Sequence, residues 1–403
     1  MIKENRQAAY LYVCTIAGVL LGILSSVVNT RFIEPAMFGD VKYVQNILNL
    51  FSTVLMFGLF TSGSRLLALS PSVEYSRRLR GALVLVLACC GAVMMLGSLV
   101  CSFLHPGQPV VSDLFVVSIP VCLSPLLINY VNTTCQGDNQ IGRISISKLL
   151  PSLLYVPLSY WIFSTYGATP RKLMLLQWGL STVCIGAIIV STRPSFRDLK
   201  PVFTALFAEN RKYGFKVYTG SLVMVATNYL AGIFLGMFNA DNAEVGFFTL
   251  AITVTSPLQA LPSIIGTSYY KKFATMERIP KKLLRTSILL TAASCVAFVL
   301  LIRPLIVFLY TERYAPIGVY ASWMAIAFCM HGLGDMFMRF MASHGQGEQI
   351  RNSSIACGIC KVLCYSLLVW LWNTKGAIVT IIICDAVYCA LLAHYYRKLC
   401  KTE

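Results

Sequence analysis

The residues that could do chemistry in this chain are charged and amide side chains set inside long apolar runs. His331, Asp335 and Arg339 recur at i, i+4 and i+8, on one helical face. Lys42, Gln45, Asn46, Asn49 and Thr53 form a second stripe, with Arg65 further along the same run. Asn129, Asn132, Thr133 and Gln136 form a third. Lys148 and Lys361 occupy corresponding places in the two halves of the chain, and Asn228, Thr249, Thr253, Gln259 and Asp385 complete the set. A charge at mid-membrane costs about 2.5–3.5 kcal/mol on insertion scales, so it usually faces a cavity or a partner. Taken together the set is rich in bases and amides and poor in acids. Lys and Arg hold phosphate, and amides replace the water that sugar hydroxyls lose on burial. The chemistry implied is the binding of an anionic, hydroxyl-rich cargo.

Plainer readings stand beside this one. Asp335 and Arg339 have the spacing of an ion pair on one helix. Lys42, Arg65 and Lys148 lie near run ends, where long side chains reach out to lipid headgroups. The amide stripes could be glue between helices. Lys361 lies deeper, with Asp385 as a candidate partner.

Bond-making chemistry finds little support. The chain has no G-x-x-x-x-G-K-[ST], no H-E-x-x-H and no G-x-S-x-G. His105, His331, His344 and His394 are scattered singly. The base-poor loops are too short to carry the acid and base of a membrane glycosyltransferase, polymerase or ligase. Of the fifteen cysteines, Cys89, Cys90, Cys184, Cys295 and Cys384 sit inside apolar runs. Cys357-Gly-Ile-Cys360 has redox or zinc spacing, but it too is in an apolar run with no second pair nearby. The cysteines read as small apolar thiols packed between helices. No metal and no cofactor is expected.

The elements that must position these residues are membrane spans. The chain is 57% hydrophobic and 12% charged, with mean hydropathy +0.71, against about 25% charged in soluble proteins. A span needs about 20 apolar residues. That rule marks twelve: Ala9–Asn29, Val44–Leu67, Ala82–Leu104, Leu114–Cys135, Ile144–Phe163, Leu173–Val190, Tyr218–Phe238, Val245–Ser268, Leu284–Tyr310, Ile317–Met341, Ile355–Trp372 and Ala377–Tyr396. The first is too long for a signal-peptide core and ends without a small-residue cleavage site. Several spans contain Pro, among them Pro120, Pro125, Pro151, Pro157, Pro257 and Pro262. Such kinks persist where neighbours or a wet cavity satisfy the freed carbonyls.

The net charge of +17 is not the footprint of a nucleic-acid binder, because the bases alternate with spans. Lys3 and Arg6, Arg77, Arg78 and Arg80, Arg143, the group from Lys271 to Arg285, Arg351, and Arg397, Lys398 and Lys401 all fall on one side. The positive-inside rule places that side, and both termini, in the cytoplasm. Arg171 and Lys172 break the trend. The longest interruption is Ser191–Lys216, with six bases and two prolines. It reads as a cytoplasmic link, and Val202–Phe207 is apolar enough to lie along the membrane surface. The expected domains are an N-terminal six-helix bundle (1–191), a basic linker (192–216) and a C-terminal six-helix bundle (217–403).

Four matches in register suggest duplication: Phe38-Gly39 with Val245-Gly246, Cys135–Asp138 with Gly345–Glu348, Trp161 with Trp370, and Gly167 with Gly376. With an even number of spans per half the repeats are parallel, related by an axis along the membrane normal. The expected fold class is an all-α polytopic membrane protein with about 12 transmembrane helices, in two pseudo-symmetric bundles around a central cavity.

Phe38-Gly39, NADNAEVGFFTLA (Asn239–Ala251), LYTERYAP (Leu309–Pro316) and NTKGAIVT (Asn373–Thr380) resemble landmarks of the Wzx-type O-antigen flippases. These form the polysaccharide-transporter branch of the multidrug/oligosaccharidyl-lipid/polysaccharide (MOP) exporter superfamily. The resemblance implies a V-shaped cavity lined mostly by spans one, two, seven and eight, with bases meeting a lipid diphosphate. It carries that role to Arg31, Lys42 and Arg65, whereas span eight offers no base before Lys271. Asn228 stands about where many relatives have an acid in span seven, which leaves His331, Asp335 and Asp385 as coupling candidates.

The function expected is that of a non-enzymatic flippase in the cytoplasmic (inner) membrane. It would move lipid-diphosphate-linked oligosaccharide, a precursor of O-antigen, capsule or exopolysaccharide, by alternating access. The substrate-binding set is Arg31, Lys42, Gln45, Asn49, Arg65, Asn129, Lys148, Asn228, Arg339 and Lys361. Expected partners are the lipid-linked substrate, membrane lipids and polysaccharide polymerase machinery. No nucleic acid is expected, and a monomer suffices. The alternatives are a cation-coupled drug or metabolite exporter of the same superfamily and a membrane glycan polymerase.

Overall fold

The computed structural model describes residues 2–239 and 241–402, with side chains outside the description at 2–13, 15, 16, 220, 221, 224, 271, 401 and 402. The expected cytoplasmic bases Lys3, Arg6, Lys271 and Lys401 are among those side chains. The described residues form helices and no strand. The first half comprises α1 (Ile2–Phe32), α2 (Pro35–Leu55), α3 (Leu59–Ala68), α4 (Val73–Leu104), α5 (Pro109–Ser118), α6 (Ser124–Gly137), α7 (Ile141–Tyr166), α8 (Pro170–Ser191) and α9 (Leu199–Glu209). A π turn (Asn210–Gly214) leads into α10 (Phe215–Phe238). The second half continues with α11 (Ala243–Thr255), α12 (Pro257–Phe273), α13 (Lys281–Tyr310), α14 (Pro316–Ser343), α15 (Gly347–Cys364), a π turn (Tyr365–Val369) and α16 (Trp370–Thr402).

Each expected span lies on one helix or on two helices joined at a break. Seven helical stretches among the described residues are long and apolar enough to cross a membrane, or eight if the bent α2–α3 pair is one span. The stretch Gly347–Cys400 has 54 residues, about 80 Å at the helical rise, far more than the roughly 30 Å of a bilayer core. It is two spans, turned back at Asn373, whose φ of 49° and ψ of −129° leave the helical region. The turn is so close that a Cβ on Gly376 would sit 1.8 Å from the Leu368 carbonyl oxygen.

The breaks have local causes. Between α5 and α6 lies Pro120, with Pro125 one residue into α6, and proline removes a ladder donor. Between α11 and α12, Pro257 does the same. The α2–α3 bend of 57° has no proline at the break. Phe57 and Gly58 take left-handed φ of 44° and 77° there. The carbonyls freed by this bend find side-chain donors: the Tyr218 hydroxyl on Val54 at 2.6 Å, the Cys90 thiol on Leu55 at 3.2 Å and the Asn210 amide on Phe57 at 3.1 Å. Non-helical backbone at membrane depth is tolerated on that condition.

The chain divides into two compact units, 1–222 and 223–403. In the first, α1 packs on α7, α3 on α6 and α4 on α5, around Phe38, Phe60, Leu79, Phe115 and Tyr130. The segment after α8 belongs to this unit. Ser195 N donates to the Arg77 carbonyl at 2.8 Å, and α9 turns its buried Val202 and Leu206 towards α3 and α4. The bases that break the charge trend are used locally. Arg171 makes a bidentate pair with Asp113 at 2.5 and 2.6 Å, and Lys172 donates to the carbonyls of Tyr166 and Gly167 beyond α7.

In the second unit α14 is central, flanked by α11, α12, α13 and α16. The four quoted motifs include three from this unit, and these meet one another. Phe247 packs edge-on against Tyr314, and Glu244 accepts from the Thr374 hydroxyl at 2.6 Å. They are joints of the bundle. By contrast α13 exposes Leu300 and Phe308 at 71% and 78%. Apolar side chains so exposed along a 30-residue helix suit a lipid solvent.

Candidate functional site

In the second unit, one imidazole stands between two carboxylates. α14 presents His331 and Asp335 a turn apart, and α16 presents Asp385. His331 Nδ1 lies 3.0 Å from Asp385 Oδ1, and Nε2 lies 3.8 Å from Asp335 Oδ1. Tyr388 stacks on the imidazole at 4.7 Å and donates its hydroxyl to Asp335 at 3.3 Å. Gln259 of α12 reaches the same carboxylate at 3.5 Å. The three ionisable side chains are 15%, 14% and 7% exposed. A buried acid, Asp385, and a partly buried one, Asp335, with one base between them can hold a proton or a small cation, and each such group inside a membrane is costly unless paired.

The expected i, i+4 pair of Asp335 with Arg339 is absent. Arg339 makes no hydrogen bond or ion pair among the described residues, and its buried Nε lacks an acceptor. Nor is Asp385 the partner of Lys361. The Lys361 ammonium instead donates to the Asn228 side-chain carbonyl at 3.4 Å, joining α15 to α10.

In the first unit the polar stripe of α2 turns partly to its neighbours. Lys42 donates to Gln45 at 2.8 Å and lies over the Phe38 ring, while Gln45 donates to Gln177 of α8 at 3.1 Å. Asn49 is half-buried and gives its backbone carbonyl to Thr53 at 2.9 Å. Arg65, at the far end of the broken span, pairs with Glu209 of α9 at 2.8 Å and stacks on Tyr213 at 4.6 Å. Its guanidinium holds the link. Arg31, at the end of α1, is exposed and has no partner among the described residues.

The third stripe lines cavities. Asn129, Asn132, Thr133 and Gln136 border a cavity of about 160 Å³ beside the α2–α3 break, with Asn129 also donating to Ser52 at 3.3 Å. Asn132 faces a larger cavity as well, of about 400 Å³, framed by α1, α6, α7 and α8. There it meets Lys148, Ser147, Ser152 and Ser181. Asn132 Oδ1 is buried without a donor. Lys148 has no hydrogen bond or ion pair among the described residues. The helix that carries Lys148 also carries Pro151 in the cavity wall, and proline there removes a ladder donor. A volume of this size falls in the range of small-molecule pockets, about 300–1,000 Å³.

Sequence reasoning passed over Gln177, Tyr388 and the serines of α7 and α8. Gln177 is an isolated amide in an apolar run, so its signal was available. Tyr388 carried none, because a tyrosine in a span reads equally as packing.

Residues 5–270 match the family described as polysaccharide biosynthesis protein. No curated protein matches the chain in sequence. Among solved structures, the lipid II flippase MurJ in an inward closed conformation superposes with TM-score 0.77 at 12% identity, over 96% of this chain and 87% of MurJ. An inward-facing multidrug resistance MATE family transporter of the MOP superfamily gives 0.72 at 15% identity, over 96% and 95%. A MOP superfamily transporter from Pyrococcus furiosus gives 0.63 at 15%, over 98% and 95%. The fold is one that these solved transporters share. With two thirds of its length matched to the family model and nearly all of it to this fold, the chain belongs to the polysaccharide biosynthesis protein family and is a multi-pass membrane protein with the fold that those solved transporters share.

Proposed function

We propose that this protein is a flippase that carries oligosaccharide linked to a lipid diphosphate from the inner to the outer leaflet of the cytoplasmic membrane. The observation that carries the reading is the cavity of the first unit. Lys148, without a partner among the described residues, lines one open hollow of about 400 Å³ between helices of the first unit together with Asn132 and three serines. A lysine suits a phosphate or an acidic sugar, and the amide and hydroxyls suit a glycan that must leave water. Arg31 of the same unit, also without an acidic partner among the described residues, adds to the surplus of positive charge available to an anion. The lipid tail stays among the helices, in the bilayer. Both termini are assigned to the cytoplasm by the loop charges.

The His331, Asp335 and Asp385 cluster is the candidate for ion coupling. A carboxylate pair bridged by imidazole changes charge when it takes up a proton or cation, and α14 and α16 would feel that change directly. The membrane potential offers a second source of drive. Moving two negative charges outward gains about 4–5 kcal/mol per 100 mV when the inside is negative.

The test is flipping in proteoliposomes containing the full chain and a lipid-diphosphate oligosaccharide, read by glycosidase access from outside. The expected result is protein-dependent transfer that speeds up with an imposed potential. Asp385→Asn should retain binding and lose the response to a pH gradient. Transfer of small cationic drugs with none of the lipid-linked glycan would overturn the proposal in favour of a drug exporter.

A further inference from the structure

We infer that Cys360, Cys364 and Cys384 form a binding site for a soft monovalent metal ion, cuprous copper, between α15 and α16. The three sulfurs lie within 4.8 Å of one another. Cys384 Sγ is 3.5 Å from Cys360 Sγ, and Cys360 Sγ is 3.8 Å from Cys364 Sγ. In a trigonal complex with metal–sulfur bonds of about 2.3 Å, the sulfurs stand about 4.0 Å apart. Two sides of the triangle come within about half an ångström of that spacing and the third is no longer than 4.8 Å, so side-chain adjustment of under about 1 Å closes the ligand shell. Cys360 and Cys364 are one helical turn apart on α15, and Cys384 meets them from α16. Cys357, the other half of the C-x-x-C spacing, is not part of the triangle. Its thiol donates to the Cys384 carbonyl at 3.5 Å.

The donor set selects the ion. No imidazole or carboxylate completes the group among the described residues, whereas zinc takes four ligands in structural sites. Thiolates favour cuprous copper over the harder divalent ions. On binding, two thiols lose their protons to water and bond to the metal as thiolates, and the third sulfur completes the trigonal set. The charge of the ion offsets one thiolate, and the complex keeps one negative charge. No oxidation step is involved.

The backbone gives a second, independent sign. Directly after Cys364 the helix widens into π geometry over Tyr365–Val369, and such single π turns inside helices are frequent at functional sites. An ion at this point would tie α15 to α16 just before the turn at Asn373. The site is a clamp on that helix pair, and its existence does not depend on the cargo.

The experiment is an anaerobic titration of the purified full chain with cuprous ion against a coloured cuprous chelator. The variant replaces Cys360, Cys364 and Cys384 by Ser, and Cys89→Ser, on α4, is the control. The inference expects the triple variant to lose the tightest site, with affinity falling by about 100-fold, and the control to keep it. X-ray absorption of the copper-loaded native protein should show a sulfur-only shell. Native protein loaded with cuprous ion should also protect these three thiols from alkylation, which keeps the test open if the variant does not fold. Unchanged affinity in a folded triple variant, a nitrogen or oxygen shell, or alkylation of the three thiols despite bound copper would overturn it.

Discussion

Lys148 and Arg65 are both bases in spans of the same unit, and their surroundings separate their roles. Lys148 faces a cavity without a partner, so its removal costs the fold nothing that the structure shows. Lys148→Ala is expected to lower glycan flipping about 10- to 100-fold, the value of a hydrogen bond to a charged group, while thermal stability in detergent stays unchanged. Unimpaired flipping would remove Lys148 from the substrate path. Arg65 is committed to Glu209 and Tyr213. If its work is to hold α9, then Glu209→Ala should match Arg65→Ala in thermal stability and in transport. A severe transport defect in Arg65→Ala alone would instead return it to the substrate path. The sequence made both residues visible, because a base inside an apolar run stands out. It did not distinguish them, since the partner of Arg65 lies far along the chain. The same limit applies to Asp335 and Arg339. Their spacing suggested a pair, and Asp335 instead faces His331, one turn back on the same helix, and accepts from the tertiary Tyr388 hydroxyl.

At the level of elements, hydropathy was enough to find each span and proline enough to find two of the breaks. The α2–α3 bend was not legible, because its cause is the packing of Gly58 against the π turn. A Cβ on Gly58 would lie 2.4 Å from the Gly214 carbonyl oxygen, and φ there is 77°. Gly58→Ala is expected to destabilise the protein by about 1–3 kcal/mol, from backbone strain and overpacking together. Gly142, on α7 with open space around it, serves as the control, and Gly142→Ala should leave the melting temperature near that of the native protein. Equal melting temperatures for the two variants would show that the bend is not held this way. The link was half legible. Its bases marked it as an interruption, but the burial of Val202 and Leu206 against α3 and α4 depends on contacts that periodicity does not reveal.

For the whole molecule, composition set the class, since an apolar chain with so few charges has only lipid as a compatible solvent. Short motifs pointed to the family, and the structure explains why they carry fold better than cargo. Phe247, Tyr314, Glu244 and Thr374 are joints within the second unit, whereas the cavity of the first unit is lined by one amide, three serines and one lysine among apolar side chains, and these belong to no motif. The central claim concerns the cargo and its direction, and cells test it most directly. The measurement is the leaflet position of the lipid-linked glycan in cells lacking this protein, read by lectin or glycosidase access to intact spheroplasts. The account predicts that unpolymerised lipid-linked repeat units accumulate on the inner face, out of reach of the probe. Single repeat units exposed on the outer face, with only their polymerisation lost, would contradict it.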